Sequence, residues 1–211
     1  MGLKTYRGMR AVTGFLAKLL YRVSYYGREN DSGEGVCIVL SNHTSFVDPA
    51  LTANAVKKRD LVFIAKESLS GHGLFGKLLL ACNMLPIRRG EGDIQALRKA
   101  CGALDSGTSL GIYPQGTRMP GVDPLPEQAM AGIGLMASRS KADLLPVAIC
   151  YGKNRRGKPR LFRKVRVYVG KPVPYSEYSA INERPSSHDI AAYAFGKVCD
   201  LFNEHNYERK H

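Results

Sequence analysis

Residues 35–49 read GVCIVLSNHTSFVDP. The first seven, Gly35 to Ser41, form a short apolar run, the pattern of a strand buried on both faces. Pro49 suits the first turn of a following helix, expected over Pro49–Val56. A strand that passes almost at once into a helix is the unit of an α/β fold, and the rest of the chain alternates in the same way. Further strands are expected at Leu61–Ala65, Met84–Arg88, Ser109–Tyr113, Leu144–Tyr151 and Lys164–Val169. Helices are expected near Phe75–Asn83 and at Asp93–Leu104, Gln128–Lys141 and His188–Asn203. The expected fold class is α/β: a single domain with a mixed central sheet flanked by helices. Residues 170–187 read as a connection rich in Pro, Ser and Tyr.

Upstream of this unit, residues 3–24 read as one helix. Tyr6, Met9, Val12, Phe15, Leu16, Leu19, Leu20 and Val23 recur at three- and four-residue spacing, and Lys4, Arg7, Arg10, Lys18 and Arg22 carry charge. A basic amphipathic helix of this kind lies in a membrane interface with its cations on lipid headgroups, or packs on its own domain. The segment alone leaves both open.

Composition narrows the class. A chain of 211 residues with 44% hydrophobic and 23% charged residues is globular, neither fibrous nor disordered. Lys and Arg number 31 against 18 Asp and Glu, a formal charge of +13. Such a surface attracts polyanions: nucleic acid, an anionic membrane or phosphorylated ligands. No recognised nucleic-acid motif accompanies the charge, so nucleic acid is not an expected partner. The five cysteines include no C-x-x-C pair, which argues against a zinc site or a disulfide framework and for a reducing compartment. The longest run free of Asp, Glu, Lys and Arg is Gly35–Val47, 13 residues, short of the roughly 18 needed to span a bilayer. No cleavable signal is evident. A protein of this kind reaches lipid from one side.

Three stretches at strand ends carry candidate chemistry. In the first, His43 follows the apolar strand, where ligands of α/β sheets bind. A histidine titrates near neutrality and can take a proton from a hydroxyl, and a carboxylate that fixes its tautomer improves it. Asp48 lies five residues on, and a turn and a half of chain would return it to the ring. Taken alone, the pair fits a helix cap or part of a metal site equally well. The second stretch is Tyr113-Pro114-Gln115-Gly116-Thr117-Arg118, where glycine admits a ligand to the backbone and arginine offers a two-pronged guanidinium to phosphate. The third is Leu85-Pro86-Ile87-Arg88-Arg89-Gly90, another strand end with arginines. No G-x-S-x-G is present, and no cysteine stands convincingly beside a histidine.

Together these stretches resemble the 1-acylglycerol-3-phosphate acyltransferase family of glycerolipid acyltransferases. The family's H-x-x-x-x-D block is similar to His43–Asp48 in its N-H-x-S-x-x-D-P setting. Its second block, an apolar strand ending in arginine, resembles Leu85–Arg89. Its F-P-E-G-T-R block resembles Tyr113–Arg118, and its fourth, a hydrophobic strand with a central proline, resembles Leu144–Ile149 around Pro146. The four blocks occur in order over roughly residues 35 to 150.

The resemblance implies transfer of a fatty acyl group from acyl-CoA or acyl-carrier protein to the free hydroxyl of lysophosphatidic acid, giving phosphatidic acid. His43 would be the base and Asp48 its partner. Arg89, Gln115, Gly116, Thr117 and Arg118 would bind the acceptor phosphate, and Pro146 would shape the donor side. No metal or cofactor is implied. The attacking group is the acceptor's own hydroxyl, so no enzyme nucleophile is required. Partners would be the lysophospholipid, the thioester donor and an anionic membrane surface, with the enzyme peripheral on the cytoplasmic face. Residues 1–30 would form an N-terminal amphipathic membrane-associating helix and 31–211 the acyltransferase domain. Gln115 departs from the family's usual glutamate and points to a different lysolipid acceptor or a loss of rate. A lipid-binding protein that has lost catalysis is the reading from another class, and the intact His43–Asp48 pair speaks against it. Eight cations between Lys153 and Arg166 would bind CoA phosphates, an acidic carrier protein or anionic lipid, or form a solvated hairpin.

Overall fold

The structure is a computed structural model that describes residues 3–66, 84–87, 93–152, 162 and 164–206. The expected helix at 75–83, Arg88 to Gly90, and residues 153–161 and 163 of the basic run lie outside the described residues.

Seven strands form one sheet: β1 (Arg22–Tyr26), β2 (Cys37–Ser41), β3 (Leu61–Lys66), β4 (Met84–Ile87), β5 (Ser109–Ile112), β6 (Asp143–Tyr151) and β7 (Lys164–Val169). Their spatial order is β1-β7-β6-β2-β5-β3-β4. β6, β2, β5, β3 and β4 are mutually parallel, and β7 runs antiparallel to β6 and parallel to β1. The sheet is therefore mixed, as expected.

β2 is central and buried at every position, which accounts for its unbroken apolar sequence. Its alternate residues feed two cores. Ile38 and Leu40 face α3 (Asp93–Asp105), α4 (Gly132–Ser140) and α6 (Ser187–His205), packing with Leu110, Leu144, Phe195 and Val198. Cys37 and Val39 face α1 (Leu3–Leu20) and α2 (Asp48–Ala55), packing with Ala17, Leu51, Val147 and Val167. Each such side chain, fully buried, contributes about 1.5–3 kcal/mol. A one-turn helix, α5 (Tyr175–Tyr178), sits in the connection before α6. The four described cysteines are buried thiols.

One expectation is corrected. Residues 3–24 are not a single helix: α1 ends at Leu20, and Arg22–Tyr26 form β1 on the sheet edge, in register with β7. The Leu20 carbonyl at the helix end accepts the Phe162 amide at 2.8 Å. The segment 1–30 thus holds a helix and a strand of the central sheet.

α1 packs on its own domain through a narrow face. Tyr6, Ala17 and Gly14 are buried, and Gly14 lies against the Asn54 side chain, which donates to the Arg10 carbonyl at 3.1 Å. Only glycine lets α1 and α2 approach so closely there. Arg7 and Arg10 pair with Asp60 at 2.9 and 3.7 Å. The large apolar stripe faces outward: Val12, Phe15, Leu16 and Leu19 are 54%, 68%, 46% and 62% exposed. No described helix is long and apolar enough to cross a membrane.

Candidate active site

Because five strands run parallel, the carboxyl ends of β2, β5 and β6 open on one edge of the sheet. β2 stops at Ser41, opposite Val147, while β6 continues to Tyr151. The Asn42 side chain fills the place where β2 would have continued: its amide donates to the Ile149 carbonyl at 2.9 Å and its oxygen accepts the Ile149 amide at 2.8 Å. That imitation of strand pairing anchors the chain immediately before His43.

The chain then turns back on itself. Asp48 opens α2, with Pro49 in the first turn. Its carboxylate is fully buried. One oxygen, Oδ2, accepts His43 Nδ1–H at 2.8 Å and the amides of Thr44 and Ser45 at 2.6 and 2.7 Å. The other, Oδ1, accepts the Tyr151 hydroxyl at 2.6 Å. These bonds are not those of a side-chain cap on α2. Asp48 takes the imidazole and the amides of the preceding turn, and the N-terminus of α2 carries no side-chain cap. Among the described residues no group of three metal-ligating side chains is present.

The imidazole is held on every side. Nδ1 is engaged by Asp48, so Nε2 is the nitrogen that can take a proton. The Tyr113 ring stacks on it, centroids 4.1 Å apart and planes 19° apart. The backbone of His43 is pinned by the loop after β5: its N–H donates to Gln115 Oε1 at 2.8 Å, and its carbonyl accepts the Met119 amide at 2.8 Å. Burial pushes the Tyr113 and Tyr151 phenols well above their ordinary pKa, with the Asp48 charge adding to the rise. Both therefore stay protonated at working pH.

The other expected residues are distributed unevenly around this centre. Gly116 sits in the same loop at φ +65°, a backbone conformation that favours glycine. Thr117 and Arg118 are exposed beside it. The Arg118 guanidinium lies 3.3 Å over the ring of Phe46, itself 63% exposed. That contact ties the loop after β5 to the turn carrying His43. Gln115 is nearly buried and both its polar ends bind protein: Oε1 takes the His43 amide, and Nε2 donates to Gln128 Oε1 at 2.8 Å. Arg89 lies outside the described residues, two positions past the end of β4. Pro146 is a buried strand residue opposite Leu40, and its carbonyl accepts the Gly170 amide at 2.8 Å. Its missing N–H falls where the β7 ladder has ended, which is how an interior strand tolerates it.

Sequence reasoning missed Tyr151, Gln128 and the Phe46–Arg118 contact. Tyr151 touches Asp48 across 103 positions of chain, and Gln128 touches Gln115 across 13, with no local pattern marking either.

The chain is similar to several known proteins. Over 172 residues, 81% of this chain and 81% of the relative, the sequence is 25% identical to a 1-acyl-sn-glycerol-3-phosphate acyltransferase of Bacillus subtilis. It is 26% identical over 149 residues to an enzyme of the same name from Streptococcus pneumoniae, and spans about half (53%) of that relative's length. The fold matches the crystal structure of the 1-acyl-sn-glycerophosphate (LPA) acyltransferase PlsC from Thermotoga maritima, with a TM-score of 0.72 at 22% identity. That match covers 94% of this chain and 78% of the other. Residues 22–150, well over half of the chain, match the family model described as Acyltransferase, and the protein belongs to that family and is an acyl-transferring enzyme.

Proposed function

We propose that the enzyme moves a fatty acyl group from an acyl-CoA or acyl-carrier-protein thioester to the free hydroxyl of lysophosphatidic acid, giving phosphatidic acid for phospholipid biosynthesis. The observation that carries this reading is the 2.8 Å bond between His43 Nδ1 and a fully buried Asp48 carboxylate at the open end of the sheet. The names of the two curated relatives support the choice of acceptor.

His43 Nε2 takes the proton of the acceptor hydroxyl as its oxygen attacks the thioester carbonyl. Asp48 stabilises the imidazolium and keeps Nδ1 protonated. The C–S bond breaks, and the thiolate leaves with the proton returned from Nε2. No covalent acyl-enzyme and no cofactor enters the scheme. The acceptor phosphate is met by Arg118 and the Gly116–Thr117 turn, helped by Arg89. Pro146 shapes the donor side through the strand it interrupts. The exposed apolar stripe of α1, in a chain of charge +13, rests on an anionic membrane surface at the cytoplasmic face.

The test is H43A assayed with a panel of lysolipids and both donor types. Acyl transfer is expected to fall by at least about three orders of magnitude, with the fold, followed by circular dichroism, unchanged. Turnover retained in H43A would sink the mechanism. Activity confined to a lysolipid other than lysophosphatidic acid would displace the acceptor while keeping the chemistry.

A further inference from the structure

We propose that Tyr151 is a positioning residue for acyl transfer: its hydroxyl holds the far oxygen of Asp48, so that the near oxygen stays aimed at His43. The inference rests on His43 as base and Asp48 as its partner.

Turning about the Cβ–Cγ bond moves both oxygens of a carboxylate, and the three donors on Oδ2 all belong to the one turn at residues 43–45. The Tyr151 bond at 2.6 Å supplies an anchor on the opposite oxygen. The anchor is itself rigid. Tyr151 is the last residue of β6, is 6% exposed, and meets the Tyr21 ring edge-on with centroids 5.9 Å apart. Two residues earlier Ile149 is locked to Asn42 by paired amide bonds. The turn that carries His43 and the strand that carries Tyr151 are therefore fixed to each other before either side chain reaches Asp48.

The bond also takes up part of the charge of a buried carboxylate, and Asp48 supports the imidazolium as it forms. Phenols also face the cluster: Tyr113 from the end of β5, with Tyr6 from α1 and Tyr21 from the turn after it behind. Tyr113 stays protonated at neutral pH, and the Arg118 guanidinium over Phe46 adds a positive charge beside the turn that carries His43.

Removing the hydroxyl leaves a looser and more basic carboxylate. Y151F is expected to lower kcat roughly tenfold, a little over 1 kcal/mol, with the KM for acceptor changed less than twofold. The acid limb of its kcat profile should move to higher pH than the parent's, since a more basic Asp48 raises the proton affinity of His43. Comparison with the parent cancels titration of the acceptor's own phosphate. Site-specific 3-fluorotyrosine at position 151 keeps the shape and strengthens the donor, so its limb should move the opposite way. If Y151F is too unstable to assay, the fluorinated protein carries the test. An acid limb unmoved in the proteins that can be assayed overturns the proposal. H43A run in parallel separates the two levels. If it turns over, the base assignment falls and takes this inference with it. If it is inactive while the limb stays at the parent's pH, only the role of Tyr151 is lost.

Discussion

Gln115 makes two bonds that a glutamate could not both keep. Its oxygen accepts the His43 amide, and its nitrogen donates to Gln128 Oε1, which also accepts the Leu125 amide at 3.2 Å. The sequence points to a different acceptor or a loss of rate at this position; in the structure the bonds of Gln115 join the turn carrying His43 to the 3-10 turn at Pro126–Gln128. In Q115E one carboxylate oxygen would keep the His43 amide while the other met Gln128 Oε1, acceptor against acceptor. Gln128 would have to turn over and release Leu125, and a buried group left unpaired costs about 1–3 kcal/mol. Q115E is therefore expected to lower Tm by several degrees and to slow turnover severalfold. Both losses should shrink towards acid pH, where the introduced carboxyl can protonate and donate. Melting and kcat measured at pH 5 and pH 8 check this; a Q115E protein as stable and active as the parent at both would show that the two glutamines are not matched. At this scale the sequence reached His43 and Asp48 through the ordered company of the other blocks, since a five-residue spacing alone fits a helix cap or part of a metal site as well. Tyr151 and Gln128 were out of reach because their contacts exist only once β6 lies beside β2 and the loop after β5 folds onto the 3-10 turn.

Elements were legible where a single period dominated. β2 is apolar throughout because both faces are covered, and α3 and α6 fall within about two residues of their expected bounds. β1 was misread because Val23 falls on the apolar spacing of α1, whereas Arg22–Tyr26 alternate between exposed and half-buried positions, the period of a strand. The start of α6 also carries a signal, Ser186-Ser187-His188-Asp189. Ser186 Oγ accepts the Asp189 amide at 3.1 Å, while the Asp189 carboxylate accepts the Ser186 amide and hydroxyl at 2.9 and 2.8 Å. The hydroxyl bond, followed by the amide bond, holds Asp189 below its ordinary pKa of 3.8. A depressed carboxylate contributes stability that is present above its unfolded value and lost as pH falls through the folded one. S186A is expected to lower Tm by roughly 2–4 °C near neutrality, the size of a lost N-cap in a domain of this length. The deficit should narrow below pH 3.8 as the parent's own box protonates. Calorimetry across that range checks it, and a deficit independent of pH would assign the loss to the Asp189 amide bond alone.

Over the whole molecule, the N-terminal helix presents a face opposite to the one a purely structural helix would show. Its buried side is made from Tyr6, Gly14 and Ala17, while Val12, Phe15, Leu16 and Leu19 stand outward at one-turn intervals. Phe162, 69% exposed, joins them at the helix end through its amide bond to Leu20. Water is a poor partner for that surface, and a bilayer interface is a good one. The charge has the matching sign, although Asp60 already engages Arg7 and Arg10, leaving Lys18 and Arg22 as exposed cations near the stripe. Removing residues 1–24 would test the idea badly, since it would strip most of β1 from the sheet along with the helix. Replacing Phe15 and Leu19 by glutamate leaves β1 and the α1–α2 contact in place. Each side chain buried in lipid contributes about 1.5–3 kcal/mol, so the F15E/L19E protein is expected to bind phosphatidylglycerol vesicles at least about tenfold more weakly. Its turnover of a short-chain, water-soluble acceptor should stay near that of the parent, because both side chains are exposed and the Tyr21–Tyr151 contact behind Asp48 is left in place. Raised salt should weaken the parent's binding as well, by screening the cationic share of the attraction. Vesicle co-sedimentation at low and high salt decides the matter, and binding equal to the parent's would return α1 to a structural role.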